Sequence, residues 1–275
     1  MQDNGLKWLH KSSVVVDGYN PGLLQSIPRS MARQTLPNTD FFGYDVWQAY
    51  EVSYLTPSGC PKIASLSFRV DAHSEYVVES KSLKLYLNSL NNHMFQEDKA
   101  VYDTIKQDLM PILGSEFELV ITYPPFVGAI PTLALSDWAL LDNLNLEQMN
   151  IPLEPKATTL ELVAHGEYTS ENLATMLFRA NCLVTNQPDW ATVMIAYEGL
   201  AWDKEKLLAY LISYRNHQGF HEQCVDRIYA DITTALKPKA LFVQANFMRR
   251  GGIDITPVRS SHKDFKFMPG RDWRQ

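Results

Sequence analysis

Hydrophobic and polar residues alternate in several stretches of the chain, the pattern of half-buried β-strands. Residues 46–55 and 63–70 are two such stretches, rich in aromatic and β-branched side chains and separated by a Pro-Ser-Gly turn. Apolar residues at helical spacing then predict helices over residues 82–91 and 97–113. Alternation returns in residues 117–123 and predicts another strand. The first half therefore has the predicted order ββααβ.

The second half predicts a similar order, ββααββ. Asp203 is the predicted N-cap of one helix, and residues 221–236 form a second predicted helix. The first strand-like run also fits a helix, and we interpret it as a strand. The four strands are predicted over residues 173–183, 191–197, 240–248 and 252–257.

A repeated segment indicates two related modules. Residues 89–97 resemble residues 213–222 with one insertion, and each contains Asn-His and ends with Glu. Proline and polar residues gather in residues 142–156, which is typical of a linker. We therefore predict an α+β chain with an N-terminal module and irregular lead-in over residues 1–145, and a C-terminal module over residues 155–275.

Composition and charge narrow the functional classes. The 275 residues are 45% hydrophobic and carry a formal net charge of -6, without a long basic run, so direct binding to nucleic acid is not expected. No apolar stretch approaches the roughly 20 residues that span a bilayer, and the polar start lacks the apolar core of a secretory signal. We expect a cytoplasmic protein that does not bind membranes.

The three cysteines are the first candidate reactive residues. Cys60, Cys182 and Cys224 are too few and too far apart for a disulfide framework, and no CxxC pair suggests a metal site. Cys182 ends an apolar run, and a polar turn leads from it to Asp189, a carboxyl that could carry protons for a covalent adduct. The alternative is a small buried cysteine and a turn-forming aspartate, which the residues alone favour.

Two helix starts and one turn carry further polar candidates. Glu79 and Ser80 precede Lys81 at a helix start that could bind an anion, or Ser80 or Ser82 could simply cap the helix. The pair His221 and Glu222 could bind a purine-like base and transfer protons, or compensate the helix dipole. In residues 249–252, two arginines and two glycines could hold dinucleotide phosphates or form a solvated turn. No GxGxxG follows a strand, so a Rossmann unit is not expected.

Together these segments resemble the QueF-type nitrile reductases of queuosine biosynthesis, in their long two-module form. Residues 79–86 resemble the family's signature, residues 182–190 its nucleophile loop and residues 220–224 its base-recognition helix, and residues 249–254 fit the long form. The resemblance runs from about residue 22 almost to the C terminus.

The resemblance implies a fold and an assembly. Each module would be a tunnelling fold (T-fold), with a four-stranded antiparallel sheet and two antiparallel helices, and the protein would be a homodimer. No clear alternation after Pro124 marks the fourth strand of the first module.

The resemblance also implies a reaction in tRNA modification, the NADPH-dependent reduction of 7-cyano-7-deazaguanine to 7-aminomethyl-7-deazaguanine. Cys182 would attack the nitrile carbon to give a thioimide, and Asp189 would protonate the nitrogen, with His221 assisting proton transfer. Two NADPH molecules would then be used. The expected site lies between the modules. The residues expected to bind the substrate are Val78, Glu79, Ser80, His221 and Glu222, and those expected to bind NADPH are Ser80, Lys81, Arg250 and Gly251.

Two other functions stay open at this point. A zinc-dependent cyclohydrolase-like enzyme would need a tetrahedral ligand set, but only Cys182 stands at a suitable position, so no metal is predicted. A non-catalytic purine- or pterin-binding module should lack the nucleophile. The presence of both Cys182 and Asp189 argues against it.

Overall fold

The computed structural model describes residues 18–124, 131–145, 147 and 150–275, which fall into two compact units. The first unit contains the described residues of Met1–Met31, Val46–Ala129 and Arg249–Asp254. The second contains those of Ala32–Asp45, Ile130–Met248 and Ile255–Gln275.

The first half of the chain follows the predicted order, with additional short elements before β2 and between β3 and α2. Strand β3 lies between β2 and β5, and β3 and β5 are antiparallel. The elements are β1 (Ser26–Pro28), α1 (Ser30–Arg33), β2 (Phe42–Leu55), β3 (Pro61–Asp71), β4 (Tyr76–Val78), α2 (Ser80–Ser89), α3 (Asp98–Leu113) and β5 (Phe117–Thr122), with a 3-10 helix at Pro21–Leu23.

Strands β1 and β4 form a small antiparallel ribbon that the alternation pattern did not reveal. Val78 pairs with Ser26 at its end, and the main-chain N–H of Glu79 donates to the oxygen of Gln25 at 2.9 Å. Part of the lead-in is therefore regular structure. The ribbon sets the position of Glu79 and of the first turn of α2.

The second half forms an antiparallel sheet in the order β10-β9-β8-β7, with β6 parallel to the outer edge of β7. The run that also fitted a helix is a strand, β7. The elements are β6 (Ala139–Leu140), β7 (Tyr168–Asn181), β8 (Pro188–Leu200), α4 (Lys204–Ile212), α5 (His221–Leu236), β9 (Ala240–Phe247) and β10 (Ile253–Ser260), with 3-10 helices at Leu141–Asn143, Ala157–Thr159 and Ser213–Asn216.

The residues that follow β5 do not add a fourth long strand to the first unit in the part of the chain that is described. Residues 125–130 lie outside the described residues, and the next strand, β6, belongs to the second unit. In the second unit, Leu133 packs with Ala174 and Met194 in a small apolar cluster. The predicted module limits, residues 1–145 and 155–275, stay a prediction about the repeat and are not the limits of these compact units.

The helix pair of each unit is joined by the same polar contact. The Tyr86 hydroxyl of α2 donates to Asp108 of α3 at 2.6 Å, and the Tyr210 hydroxyl of α4 donates to Asp231 of α5 at 2.8 Å. Each residue stands at the same position counted from the start of its helix. Buried tyrosine hydroxyls need such partners. The shared contact agrees with the repeat seen in the sequence.

Helix α5 is anchored by buried charges of the second unit. Arg259 is fully buried, and its guanidinium contacts Asp226 at 2.6 Å and Asp45 at 2.9 Å. Arg33 contacts the other oxygen of Asp226 at 2.8 Å. Since a buried charge is tolerated only with such partners, this network holds the first half of α5 in place. None of the described helices is both long and apolar enough to cross a membrane.

Candidate active site

Cys182 is the first residue after β7 and stands in a short, closed loop. Its main-chain N–H donates to the oxygen of Gln187 at 2.8 Å, and its carbonyl accepts from the N–H of Asn186 at 2.9 Å. Asn186 has a φ of 54°, in the left-handed region that asparagine tolerates better than most residues. The half-buried thiol is therefore carried at a strand end rather than sealed in the apolar core.

Asp189 and His221 form a buried acid–base pair. Asp189 is 2% exposed, and its Oδ2 lies 3.3 Å from Nε2 of His221. The His221 ring stacks on Phe247, with ring centres 3.9 Å apart and planes 6° apart. The Nδ1 atom of His221 is buried and has no hydrogen-bond partner among the described residues. The pair can thus hold or move a proton at a fixed position.

Glu222 follows His221 in the first turn of α5 and is only 3% exposed. A helix N terminus stabilises a carboxylate at this place, which lowers the cost of burying its charge. A buried, rigid carboxylate is suited to accept hydrogen bonds from the N–H groups of a flat base. The prediction that Glu222 and His221 bind substrate has this geometry to support it.

The other two cysteines have different settings. Cys224 is fully buried in α5, and burial raises the pKa of its thiol, with the negative charges of Asp189 and Glu222 adding to the effect. Cys224 is therefore held as an unreactive thiol. Cys60 is exposed in the turn before β3. Of the three cysteines, Cys182 has the position that suits a nucleophile.

The loop that carries Cys182 is bound to the segment that leads into α5. The main chain of Asn181 donates to His217 at 2.8 Å and accepts from Gly219 at 3.1 Å. The side-chain amide of Gln218 donates to the amide oxygen of Asn186 at 2.9 Å. These contacts bring Cys182 and Asp189 into one region with the start of α5. The sequence alone gives no signal for Asn186 and Gln218, because only their contact in space reveals that they hold the Cys182 loop against the segment before α5.

The first unit has a structural counterpart of this loop without its chemistry. Leu55 at the end of β2 donates to His93 at 2.8 Å and accepts from Phe95 at 2.9 Å, as Asn181 does with its own partners. At the start of the following strand and helix, Lys62 and Asp98 form an ion pair at 2.6 Å. This ion pair holds the pKa of Asp98 below its usual range. An ion pair thus stands where the second unit has Asp189 and His221.

Glu79 is a buried carboxylate at the start of α2. It is 4% exposed, and its oxygens accept from the main-chain N–H groups of Lys81 at 3.0 Å and Ser82 at 2.7 Å. Glu79 itself therefore caps the helix, rather than Ser80 or Ser82 as the capping alternative assumed. Val78 is buried at the end of β4, and Ser80 is the first residue of the helix.

The buried charge of Glu79 predicts a pH-dependent cost to stability. Burial raises the pKa of Glu79 above its ordinary value of 4.5, although the two N–H donors oppose the shift. A raised carboxyl pKa gives stability that is present below 4.5 and is lost as pH rises through the folded-state value. Glu79→Gln should therefore gain in melting temperature relative to the wild type as pH is raised from 4.5 towards 8, measured by thermal unfolding across that range.

Glu97→Gln is the matched control for Glu79→Gln. Glu97 is the exposed N-cap of α3 and makes no side-chain capping bond, so Glu97→Gln removes the same charge at a helix start without removing a buried one. A Glu79→Gln difference that stays constant from pH 4.5 to 8 would contradict the buried-charge account.

Two of the predicted cofactor residues, Arg250 and Gly251, stand in a tight turn of the first unit beside Lys84. Gly251 and Gly252 have φ values of 60° and 88°, and Arg250 and Ile253 exchange main-chain hydrogen bonds across this tight turn. A Cβ atom on Gly251 would lie 2.7 Å from Nζ of Lys84, which is exposed. Arg249 pairs with Glu51 instead. An open glycine backbone beside lysine suits phosphate oxygens, so these residues fit a dinucleotide.

The described residues contain no group of three or more histidine, cysteine, aspartate or glutamate side chains that could hold a metal ion. The zinc-enzyme alternative therefore has no ligand set in this part of the chain. The residues around Cys182 and those around Gly251 lie in different units. That both groups serve one site stays a prediction.

A half-buried cysteine in one region with a buried aspartate–histidine pair, on an α+β scaffold, is the arrangement expected of an enzyme with a thiol nucleophile. Comparison with known proteins identifies the family. The family model described as nitrile reductase, 7-cyano-7-deazaguanine-reductase N-term, matches residues 15–121, and that described as QueF-like protein matches residues 188–266.

Relatives of known name agree with both family models. The chain is 45% identical over 260 residues to the NADPH-dependent 7-cyano-7-deazaguanine reductase of Legionella pneumophila (strain Lens), covering 92% of this chain and 89% of the relative. It is 42% identical over 258 residues to the protein of that name from Dechloromonas aromatica (strain RCB), with coverage of 92% and 89%. The chain belongs to the 7-cyano-7-deazaguanine reductase family.

A solved structure also matches. The crystal structure of the archaeosine synthase QueF-Like in the apo form gives a TM-score of 0.31 at 16% identity, and the match covers 38% of this chain and 100% of the other. Family membership confirms the predicted resemblance. With the observed antiparallel strands and helix pairs, it also confirms the α+β fold class of tandem T-fold modules.

Proposed function

We propose that this chain reduces the nitrile of 7-cyano-7-deazaguanine to an aminomethyl group with NADPH, in queuosine biosynthesis, through a thioimide on Cys182. Relatives that carry the name of this NADPH-dependent reductase are more than 40% identical over about nine-tenths of the chain. The observation that carries the residue assignment is the half-buried thiol at the end of β7, in one region with the buried Asp189–His221 pair.

The first chemical step forms one bond and moves one proton. The sulfur of Cys182 adds to the nitrile carbon as its S–H bond breaks and the proton passes to the Asp189–His221 pair, one π pair of the C≡N bond moves to nitrogen, and that nitrogen takes a proton from Asp189. His221, 3.3 Å from Asp189, can then restore the proton or orient the carboxyl that gives it. The product is a thioimide, whose carbon is a better hydride acceptor than a nitrile.

Recognition of the base rests on buried carboxylates. Glu222 accepts hydrogen bonds from the N–H groups of the deazaguanine ring, and His221 lies beside it. Glu79, with Val78 and Ser80, is proposed to bind the same substrate. A site with buried acceptors rejects a base that lacks the matching donors, because those acceptors would be left unsatisfied.

The cofactor residues are proposed to be Ser80, Lys81, Arg250 and Gly251, with Lys84 beside them. Lysine and arginine neutralise phosphate oxygens, and the glycine backbone allows them to approach closely. NADPH supplies hydride, and two molecules provide the four electrons that convert a nitrile to a primary amine. We propose further that the chain acts on the free base, since its net charge of -6 does not favour binding to tRNA. The homodimer that the family resemblance implies is also part of the proposal.

The stoichiometry of NADPH oxidation tests the proposed function. The absorbance of NADPH should fall only when 7-cyano-7-deazaguanine is present, and two NADPH molecules should be consumed per nitrile. Guanine, which has no nitrile, is the matched control substrate and should cause no oxidation. A protein that binds the nitrile but oxidises no NADPH would be the non-catalytic binding module, and a protein that opens the ring without NADPH would be the cyclohydrolase-like enzyme.

A further inference from the structure

Arg179 makes two contacts near the end of β7, next to the residues that flank the nucleophile and the acid. It stands directly opposite Trp190 in the β7–β8 ladder, and its guanidinium carbon lies 5.8 Å from the centre of the Trp190 ring. Its Nη2 donates to the side-chain oxygen of Asn181 at 3.1 Å. Asn181 immediately precedes Cys182, and Trp190 immediately follows Asp189. One side chain therefore touches the neighbour of each reacting residue.

Asn181 links Arg179 to the segment before α5. Only 8% of its surface is exposed, and its main chain is bonded on both sides to the segment before α5, at His217 and Gly219. A rotation of the Asn181 peptide would disturb these two bonds and would move Cys182 with it. A side-chain bond that fixes Asn181 thus also fixes the thiol relative to His221.

The chemistry of arginine suits both contacts at once. A guanidinium is planar and always charged, so one face can stack on an indole while an edge donates to an amide oxygen. The Nε atom of Arg179 is buried and has no hydrogen-bond partner among the described residues. Arg179 thus stays beside Asn181 and Trp190 although one of its buried donors is unsatisfied.

We propose that Arg179 is a positioning residue for the nucleophile, acting through Asn181 to hold Cys182 in register with Asp189 and the start of α5. The inference rests on the proposed roles of Cys182 and Asp189. Arg179 acts on the rate of thioimide formation rather than on binding of the base, because it contacts the neighbours of the reacting residues.

The chain offers a matched control in Arg215. Its guanidinium carbon lies 5.5 Å from the centre of the same Trp190 ring, but it is exposed and makes no hydrogen bond to Asn181 among the described residues. Arg215→Met therefore removes a similar charge and a similar ring contact while leaving the Asn181 side chain in place.

The test measures thioimide formation in single turnovers without NADPH, followed by intact-protein mass. Arg179→Met should slow the step about tenfold, with the affinity for the nitrile changed less than about twofold, and Arg215→Met should stay within about twofold of the wild type in both. Arg179→Lys should recover only part of the rate, because an ammonium lacks the planar fork.

A double-mutant cycle identifies the route of the effect. Asn181→Ala should slow the same step, and the double variant Arg179→Met, Asn181→Ala should be no slower than the worse single variant. If the rate losses of the two single variants multiply in the double variant, the two residues act independently, and this would contradict action through Asn181. Equal losses in Arg179→Met and Arg215→Met would assign the effect to charge near Trp190 and overturn the proposal. If Arg179→Met does not fold, Arg179→Lys and Asn181→Ala carry the test.

The outcome separates this inference from the proposed function. A normal rate in Arg179→Met, in a protein where Cys182→Ala forms no adduct, overturns only the positioning role. A Cys182→Ala variant that still forms the thioimide overturns the assignment of Cys182 as the nucleophile, on which the proposed function and this inference both rest.

Discussion

Cys182→Ala is expected to abolish the covalent adduct and to lower nitrile reduction by a factor on the order of 10⁴ or more, because the sulfur that bonds to substrate is removed. The wild-type protein should gain the mass of 7-cyano-7-deazaguanine when NADPH is absent, and the variant should not. Since the thiol is half-buried at a strand end, its loss should leave the melting temperature nearly unchanged. Intact-protein mass and NADPH oxidation measure both effects.

Cys60→Ala is the matched control for the nucleophile, because Cys60 is exposed in a turn of the first unit. It should form the adduct and turn over like the wild type. An adduct that persists in Cys182→Ala would move the nucleophile to another cysteine. A wild-type protein that forms no adduct would contradict the thioimide mechanism.

Asp189→Asn is expected to slow turnover by about 10²–10⁴-fold while changing the affinity for the nitrile only a few-fold. The amide keeps the shape of the carboxyl but cannot donate the proton that the nitrile nitrogen requires. It also weakens the interaction with His221, whose Nε2 lies 3.3 Å from Asp189. Steady-state kcat and a direct binding measurement on each variant separate the two effects.

Asp203→Asn provides the control for the aspartate substitution. Asp203 caps α4 through a 3.0 Å bond to the N–H of Lys206, and asparagine is an equally good N-cap, so kcat should not change. If Asp189→Asn weakened binding and turnover by the same factor, Asp189 would be a substrate-binding residue and the proton would have to come from another group.

The Lys62–Asp98 ion pair of the first unit explains why sequence similarity between the halves does not imply two catalytic sites. Lys62 and Asp98 occupy the positions that Asp189 and His221 occupy in the second unit. Both partners are partly exposed, so the pair contributes little to stability. The pair has a lysine where the second unit has Asp189 and an aspartate where it has His221, so the acid–base pair beside the nucleophile is not repeated.

The sequence by itself determined the elements whose signals are local. The spacing of Val101, Ile105 and Leu109 places one face of α3 in the core, and all three are fully buried. The N-cap at Asp203 and the limits of the helix over residues 221–236 were also predicted correctly. Such signals succeed because helix capping and periodicity depend on residues within a few positions of each other.

Only the tertiary structure decided which side chains meet. The ribbon of β1 and β4, the contact between Asn186 and Gln218, and the pairing of Asp189 with His221 each join residues distant in sequence. Short strands and polar loops carry too little periodicity to reveal their partners. The sequence thus determined which residues could react, and the pairing of distant strands and loops placed Cys182, Asp189 and His221 in one region, because those contacts depend on packing across the whole unit rather than on neighbours in the chain.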